Sequence, residues 1–457
     1  MNGAGYALAV LFAVNLMNFF DRQILGAVGE QIRREWGLGD TALGALGTAF
    51  TLLYAFVGVP FGRLADRTSR KHILAVGVFV WSLLTAASGM ARNFWQLFVI
   101  RLGVGVGEAS CAPAAISLIG DLYGTQHRAR ATAVFMLGLP IGLGLSFLVG
   151  GYVGQRWGWR MALFIAAAPG ILCAMAALFI REPGRGLVEA HSVGARHRPG
   201  SPYRLLLSIP TLWWIIASGA LHNFNMYALG AFLGSFLIRY HGVSLSRAGM
   251  ISMVVYGLSG TFGLIVGGIA ADAIYRKRKD GRLLVATIAT VIAAPLMFLS
   301  LTRPAGEVMG FAVLMGAGVG VMYAYYATVY STIQDIVEPG LRGTAMALYF
   351  GAMYLAGASL GPIGTGMISD YFTAQAATAA GLTAHTMAAL EPFRAAGLHS
   401  AMYAIPILAV LLAVVLFAAS KTVRKDIEAL QTWTQSTAAR VALLVGCIGF
   451  CEIGVGP

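Results

Sequence analysis

Two charges of opposite sign sit inside one apolar run, Arg101 and Glu108, with Gly103, Gly105 and Gly107 between them. On a helix, residues at this spacing are two turns and roughly 10 Å apart and face nearly the same way. Either charge in hydrocarbon costs several kcal/mol, so both should point into a protein interior or a watery cavity. The glycines remove bulk and let a neighbouring helix approach. A second pair, Asp21 and Arg22, interrupts the first apolar run. At 1.5 Å per residue in a core of about 30 Å, Asp21 and Arg101 fall at similar depth and Glu108 deeper, towards the cytoplasm. The expectation is an Asp21–Arg101 contact, with Glu108 beside it as the group that titrates and Asp21 as its partner in proton coupling.

Burial and a neighbouring arginine act on such a carboxyl in opposite directions, which suits a proton switch. Ionised Glu108 can hold Arg101; protonated, it frees Arg101 for an anionic substrate. The guanidinium fork stays charged and grips phosphate bidentately, so Arg101 and Arg22 are the candidate headgroup ligands. The alternative is a static ion network that only fixes the packing of the two helices.

The elements that must position these charges are membrane spans. The chain has 457 residues, 58% hydrophobic and 11% charged, which excludes an ordinary soluble domain. Apolar stretches long enough to cross a bilayer recur at about 6–32, 41–65, 72–91, 93–120, 129–155, 159–180, 209–238, 246–271, 283–302, 308–334, 343–371 and 399–420. The first lacks a small-residue cleavage site and reads as a retained span. The net charge of +13 comes mostly from loops on one side, at Arg63–Lys71, Arg128–Arg130, Arg181–Arg204, Arg276–Arg282 and Lys421–Lys425. Basic loops mark the cytoplasmic side, so both termini are expected inside and no nucleic-acid partner is implied.

The reading is an all-α polytopic membrane protein of twelve transmembrane helices in two six-helix bundles. Residues 1–181 form the first bundle, 182–208 a polar cytoplasmic linker, 209–421 the second bundle and 422–457 a cytoplasmic tail. Beyond Val441 the tail is apolar but short, either an interfacial segment or an appended remnant. Residues 373–397 read as a long outside loop with no assignable chemistry.

The two halves echo each other. Gly62-Arg-Leu-Ala-Asp66 ends the second span and Gly268-Ile-Ala-Ala-Asp272 the eighth, each followed by basic residues. Asp121 with Arg128, and Asp335 with Arg342, recur at equal spacing after the fourth and tenth spans. Such repetition marks transporters that rock two halves about a central site. The second half contributes His222, Asn223, Asn225 and Tyr227 in span seven, and Tyr323, Tyr325, Tyr326, Thr328 and Tyr330 in span ten. A cavity charged on one wall and aromatic on the other suits an amphiphile, headgroup to the first half and tail to the second. Read alone, His222 fits a hydrogen-bonded packing histidine better than a proton carrier.

The four cysteines, Cys111, Cys173, Cys447 and Cys451, make no zinc or disulfide pattern. No metal and no cofactor is expected. Ser110 follows Glu108 on a different face with no histidine near, so no catalytic set is expected and an enzyme is not.

Gly62-Arg-Leu-Ala-Asp-Arg-Thr-Ser-Arg-Lys71 resembles the loop signature of the major facilitator superfamily, and Arg101 with its glycine run resembles that superfamily's fourth-span motif. Asn18-Phe-Phe-Asp-Arg22, Trp81-Ser-Leu-Leu-Thr85, Arg101-Leu-Gly-Val-Gly-Val-Gly-Glu-Ala109, Gly158-Trp-Arg160 and Arg181-Glu-Pro-Gly-Arg-Gly186 together look like a bacterial homologue of the Spinster family. The resemblance is dense over 15–186 and thin beyond. It implies alternating-access transport of sphingolipids or lysophospholipids, proton-coupled in at least some members. It implies a latch between the halves at Asp66, Arg67 and Arg70, with Asp121, Arg128, Asp272, Asp335 and Arg342 as related gating residues. Gly138-Leu-Pro-Ile-Gly-Leu-Gly144 departs from the drug-antiporter motif, leaving export of amphiphilic drugs or organic anions as the second reading. The expected partners are a lipid or other amphiphile, protons and bilayer lipids. A monomer in the inner (cytoplasmic) membrane is expected.

Overall fold

A computed structural model describes residues 3–182, 201–338, 341–382 and 386–451; the side chains of 55, 58–67, 125–126, 128–129, 202 and 434–451 lie outside the described set. Three expected gating residues, Asp66, Arg67 and Arg128, fall among those side chains, as does the apolar tail beyond Val441, and linker residues 183–200 are also outside.

The helices make twelve crossings: α1 (Gly3–Trp36), α2 (Asp40–Arg67), α3 (Arg70–Gly89), α4 (Phe94–Leu122), α5 (125–157), α6 (159–178), α7 (Pro210–Arg239), α8 (Leu245–Tyr275), α9 (Gly281–Leu301), α10 (Val308–Ile336), α11 (Arg342–Ala379) and α12 (Ala404–Cys451). They form two six-helix bundles, α1–α6 and α7–α12. Large apolar side chains such as Phe79, Leu83, Phe262 and Ile292 are exposed around the outside, where lipid would cover them. The end carrying the α2–α3 and α6–α7 connections is here the linker face; the opposite end is the far face.

Glycine placement sets where helices break and touch. α4 breaks at Ala109–Ser110, just after Gly103, Gly105 and Gly107, and α10 breaks at Tyr323, just after Gly316, Gly318 and Gly320. Glycine weakens a helix interior, and the repeat places the weakness alike in both halves. Between α5 and α6 the chain turns at Gly158, whose φ of +81° would strain a residue with a side chain. Close seams join the bundles, among them α5 with α8 and α2 with α11. A Cβ on Gly249 of α8 would overlap the Phe147 carbonyl of α5, and one on Gly44 of α2 would overlap the Pro362 carbonyl of α11. Close backbone approach of this kind supplies the dispersion contacts that hold helices together in lipid. α8 and α11 each contain a π-helical turn, Val254–Leu258 and Met353–Ala358. Such turns re-aim side chains and recur at functional sites; the second carries Tyr354.

Candidate functional site

Successive residues on a helix point about 100° apart, and this decides what α1 contributes. Asn18 and Arg22, one turn apart, share a face and both reach Glu108. Asn18 Nδ2 donates to Glu108 Oε2 at 3.0 Å, and Arg22 Nε donates to the same oxygen at 2.9 Å. The ion pair is buried, with side-chain exposures of 4% for Arg22 and 0% for Glu108, and Glu108 Oε1 has no hydrogen-bond partner. Arg22 Nη1 also donates to the Tyr354 hydroxyl of the other bundle at 2.8 Å. The Arg22 guanidinium lies 4.5 Å from the Tyr54 ring centre, 4.8 Å from Phe19 and 5.1 Å from Phe50. An aromatic box stabilises a cation through ring quadrupoles.

Asp21 points elsewhere. Its carboxylate is fully buried beside Trp81 and Thr85 of α3, with no hydrogen bond to either oxygen. Arg101 Nη2 donates at 3.2 Å to the main-chain carbonyl of Asp21. The expected Asp21–Arg101 side-chain contact is therefore replaced by an Arg22–Glu108 pair, because matching depth along two helices does not fix rotation about them. Arg101 is 1% exposed, and its Nε and Nη1 have no partner. Arg22, Phe50, Arg101, Tyr227 and Pro362 line a crevice of about 40 Å3 between the bundles, room for a few water molecules.

On the second wall, Tyr227 lines this crevice and Tyr354 touches Arg22. His222 is buried, stacked on Tyr325 at 3.9 Å and edge-on to Tyr326 at 4.8 Å, with neither ring nitrogen hydrogen-bonded. It packs as an aromatic ring. Asn223 donates to its own helix at Gly219 (2.9 Å), whereas the Asn225 amide is buried without a partner. Tyr323, Tyr326 and Tyr330 form an edge-to-face run, Tyr323–Tyr326 at 5.5 Å and Tyr326–Tyr330 at 5.8 Å, that continues onto Tyr349 and Phe350.

At the linker face, Arg70 pairs with Asp121 and, at 2.9 Å, with Glu182; the Arg70 main-chain N–H (2.9 Å) and Ser69 hydroxyl (2.6 Å) complete the Glu182 cradle. These donors hold the Glu182 carboxyl down at about 2 against the opposing effect of partial burial. In the second half Arg282 pairs with Asp335 and, at 3.1 Å, with Asp272. In both half-repeats the aspartate at the end of one helix, α4 or α10, is thus satisfied by an arginine from the start of the helix before it, α3 or α9. Arg342 instead donates to the Gln334 carbonyl at 3.0 Å. Arg282 and Glu182 were not expected as gating residues; the basic cluster at 276–282 was the available signal, but nothing in it marks one arginine.

A further ion network closes the far face. Arg239 of α7 pairs with Glu30 at 2.7 Å and with Asp40 at 2.9 Å, and Glu30 also holds Arg33 at 3.0 Å and Arg34 at 2.8 Å. Asp370 of α11 accepts from the main-chain N–H groups of Asp40 (2.9 Å) and Thr41 (2.8 Å), capping α2 from the opposite bundle. Arg33 reaches Glu391 at 2.5 Å, and Arg394, 2% exposed, reaches Asp370 at 3.3 Å. The segment expected to be a chemistry-free loop therefore continues α11 to Ala379 and supplies two members of this network. Among pairs of described side chains, every ion pair joining the bundles is at the far face.

Comparison with known proteins agrees with this architecture. Residues 11–362 match the Major Facilitator Superfamily. The chain is 30% identical to Protein spinster homolog 1 of Rattus norvegicus, over 79% of this chain and 72% of that one. It is 29% identical to an MFS-type efflux pump of Mycolicibacterium smegmatis, over 80% and 85% respectively. The crystal structure of a bacterial homologue of the human lysosomal transporter Spinster, inward-facing and unoccupied, superposes with a TM-score of 0.80 at 28% identity, covering 93% of this chain and 98% of that one. The chain belongs to the Major Facilitator Superfamily and, within it, to the Spinster family of membrane transporters.

Proposed function

We propose that the protein moves an amphiphilic lipid with an anionic headgroup, of the lysophospholipid or sphingoid phosphate type, across the inner membrane by proton-coupled alternating access. The observation that carries this reading is the buried Arg22–Glu108 pair held at 2.9 Å and linked to the second bundle through Tyr354. While ionised, Glu108 occupies Arg22. Proton uptake by Glu108 removes the opposing charge and leaves Arg22, with the unpartnered donors of Arg101, free for a phosphate. By linkage, a headgroup that draws Arg22 away favours the protonated carboxyl to the same extent, so proton and anion bind together. Asp21, whose carboxyl is buried without a hydrogen bond, is the second proton site of this reading beside Glu108.

In this reading the linker face is cytoplasmic, the bundles are 1–181 and 209–421, and the working unit is one chain. The Arg70–Asp121–Glu182 and Arg282–Asp335–Asp272 clusters gate the cytoplasmic side, and the Arg239 network gates the far side. The tyrosine run of α10 supplies the wall for the acyl chain. The deciding experiment is transport into proteoliposomes under an imposed pH gradient, using lysophosphatidylglycerol, sphingosine phosphate and a cationic dye. Proton-dependent movement of the phosphate-bearing lipids is expected; movement of the dye alone would overturn the lipid reading. The similarity to an MFS-type efflux pump favours amphiphilic drug export as the second reading.

A further inference from the structure

A separate cavity of about 140 Å3 opens on the linker face of the second bundle, remote from the Arg22–Glu108 pair. Three segments form its walls. The short helix Pro202–Leu207 contributes Leu206, the α10–α11 connection contributes Val337, Glu338 and Leu341, and α12 contributes Asp426 and Leu430. Aliphatic side chains make up most of the lining, with Ser208 and two carboxylates, Glu338 and Asp426, as its polar members.

Glu338 is the unusual member. It is 6% exposed, and neither carboxylate oxygen has a hydrogen-bond partner. A buried carboxylate without a donor is costly, and native structures supply it with a cation or hydrogen bonds. Asp426 also lines the space; one of its oxygens accepts from the Thr211 main-chain N–H at 3.0 Å and so caps α7. Among the described residues no lysine, arginine or histidine pairs with Glu338. The site thus presents concentrated negative charge at the base of an apolar slot. The slot is well below the roughly 300–1,000 Å3 of a drug-sized pocket, so it admits a group of side-chain size.

We propose that this cavity binds a small organic cation, an ammonium or guanidinium group on a short hydrocarbon stem, with the head donating to Glu338 and the stem packed against Leu206, Leu341 and Leu430. N–H donors are required, because the carboxylate needs hydrogen bonds as well as charge. Occupancy clamps the short helix, the α10–α11 connection and α12 together. The site is independent of the transported substrate.

The test uses the purified full chain in detergent, titrated calorimetrically with n-butylguanidinium, n-butylammonium and tetramethylammonium, with sodium chloride at matched ionic strength. Saturable binding and a raised melting temperature are expected for the first two cations only. Glu338→Gln should weaken binding at least about tenfold, the size expected for losing a charge-assisted hydrogen bond. Ala429→Trp, at an exposed position on the rim, should block the slot and abolish binding while leaving lipid transport intact. An equal response to tetramethylammonium or sodium chloride overturns the proposal, as does unchanged affinity in both variants. So does binding that emerges only after Arg185, Arg196 and Arg198 are replaced.

Discussion

Arg22 and Tyr354 meet at 2.8 Å across the two bundles, and the same guanidinium is held by Glu108 within the first. One side chain at the centre of the protein is therefore bonded to both halves. Its cation touches both halves, so its protonation-linked partner acts on the position of both.

Removing one member of the Arg22–Glu108 pair leaves a buried charge without its counterion, a loss of about 3–5 kcal/mol. Arg22→Met should lower thermal stability by that order, whereas Arg22→Met combined with Glu108→Gln should recover much of it. Glu108→Gln alone should fold and should lose the pH dependence of transport. Calorimetry on the four proteins, with uptake at several pH values, checks both; strictly additive melting shifts would show that the pair is not coupled.

The first half of this mechanism is legible in the sequence and the second is not. Hydropathy and basic loops give the twelve crossings because bilayer thickness fixes span length. Arg101 and Glu108 stand out because charges in apolar runs are expensive. Which charge meets which is lost, since Asp21 and Arg22 differ by one residue and one-quarter of a turn, and depth says nothing of rotation. The Arg33–Glu391 contact spans 358 residues of sequence and lies outside any motif, so the far-face network has no local signature.

Arg239 bridges Glu30 and Asp40 across the bundles while almost fully buried. Arg239→Ala should cost the closed far face about 3 kcal/mol, a roughly hundredfold shift towards its opening. A cysteine placed at Ala231, on the wall of the central crevice, should then be labelled faster by a charged thiol reagent added from the far side. An unchanged labelling rate would remove Arg239 from the gate.

The α5–α8 seam tolerates no side chain at Gly249, whose added Cβ would overlap the Phe147 carbonyl. Gly249→Val should force the helices apart at about 1–3 kcal/mol and slow transport of any substrate. Gly5→Ala, at an exposed position where an added Cβ meets nothing within 4 Å among the described residues, is the control and should behave as wild type in the same melting and uptake measurements.

Glu182 is held down from its ordinary 4.5 to about 2 by Ser69 and Arg70. A carboxyl lowered on folding contributes fully above pH 4.5 and loses that contribution as pH falls through about 2. The stability difference between wild type and Glu182→Gln should be constant from neutrality down to about pH 5 and then shrink with further acid. Melting temperatures of both proteins across pH measure it; a difference that grows on acidification would contradict the assignment.

His222 has no hydrogen bond and stacks on Tyr325. His222→Phe should keep that stack and leave the pH profile of transport unaltered, in contrast to Glu108→Gln. A displaced profile would make His222 a proton carrier.

Asp370 satisfies the first amides of α2 from the opposite bundle. When the halves separate there, those N–H groups lose that acceptor, and water is the replacement expected at a helix end that becomes exposed. Opening at the far face is in this sense a hydration event. Its rate should follow water activity, slowing in concentrated excluded osmolyte even where no transported molecule is present.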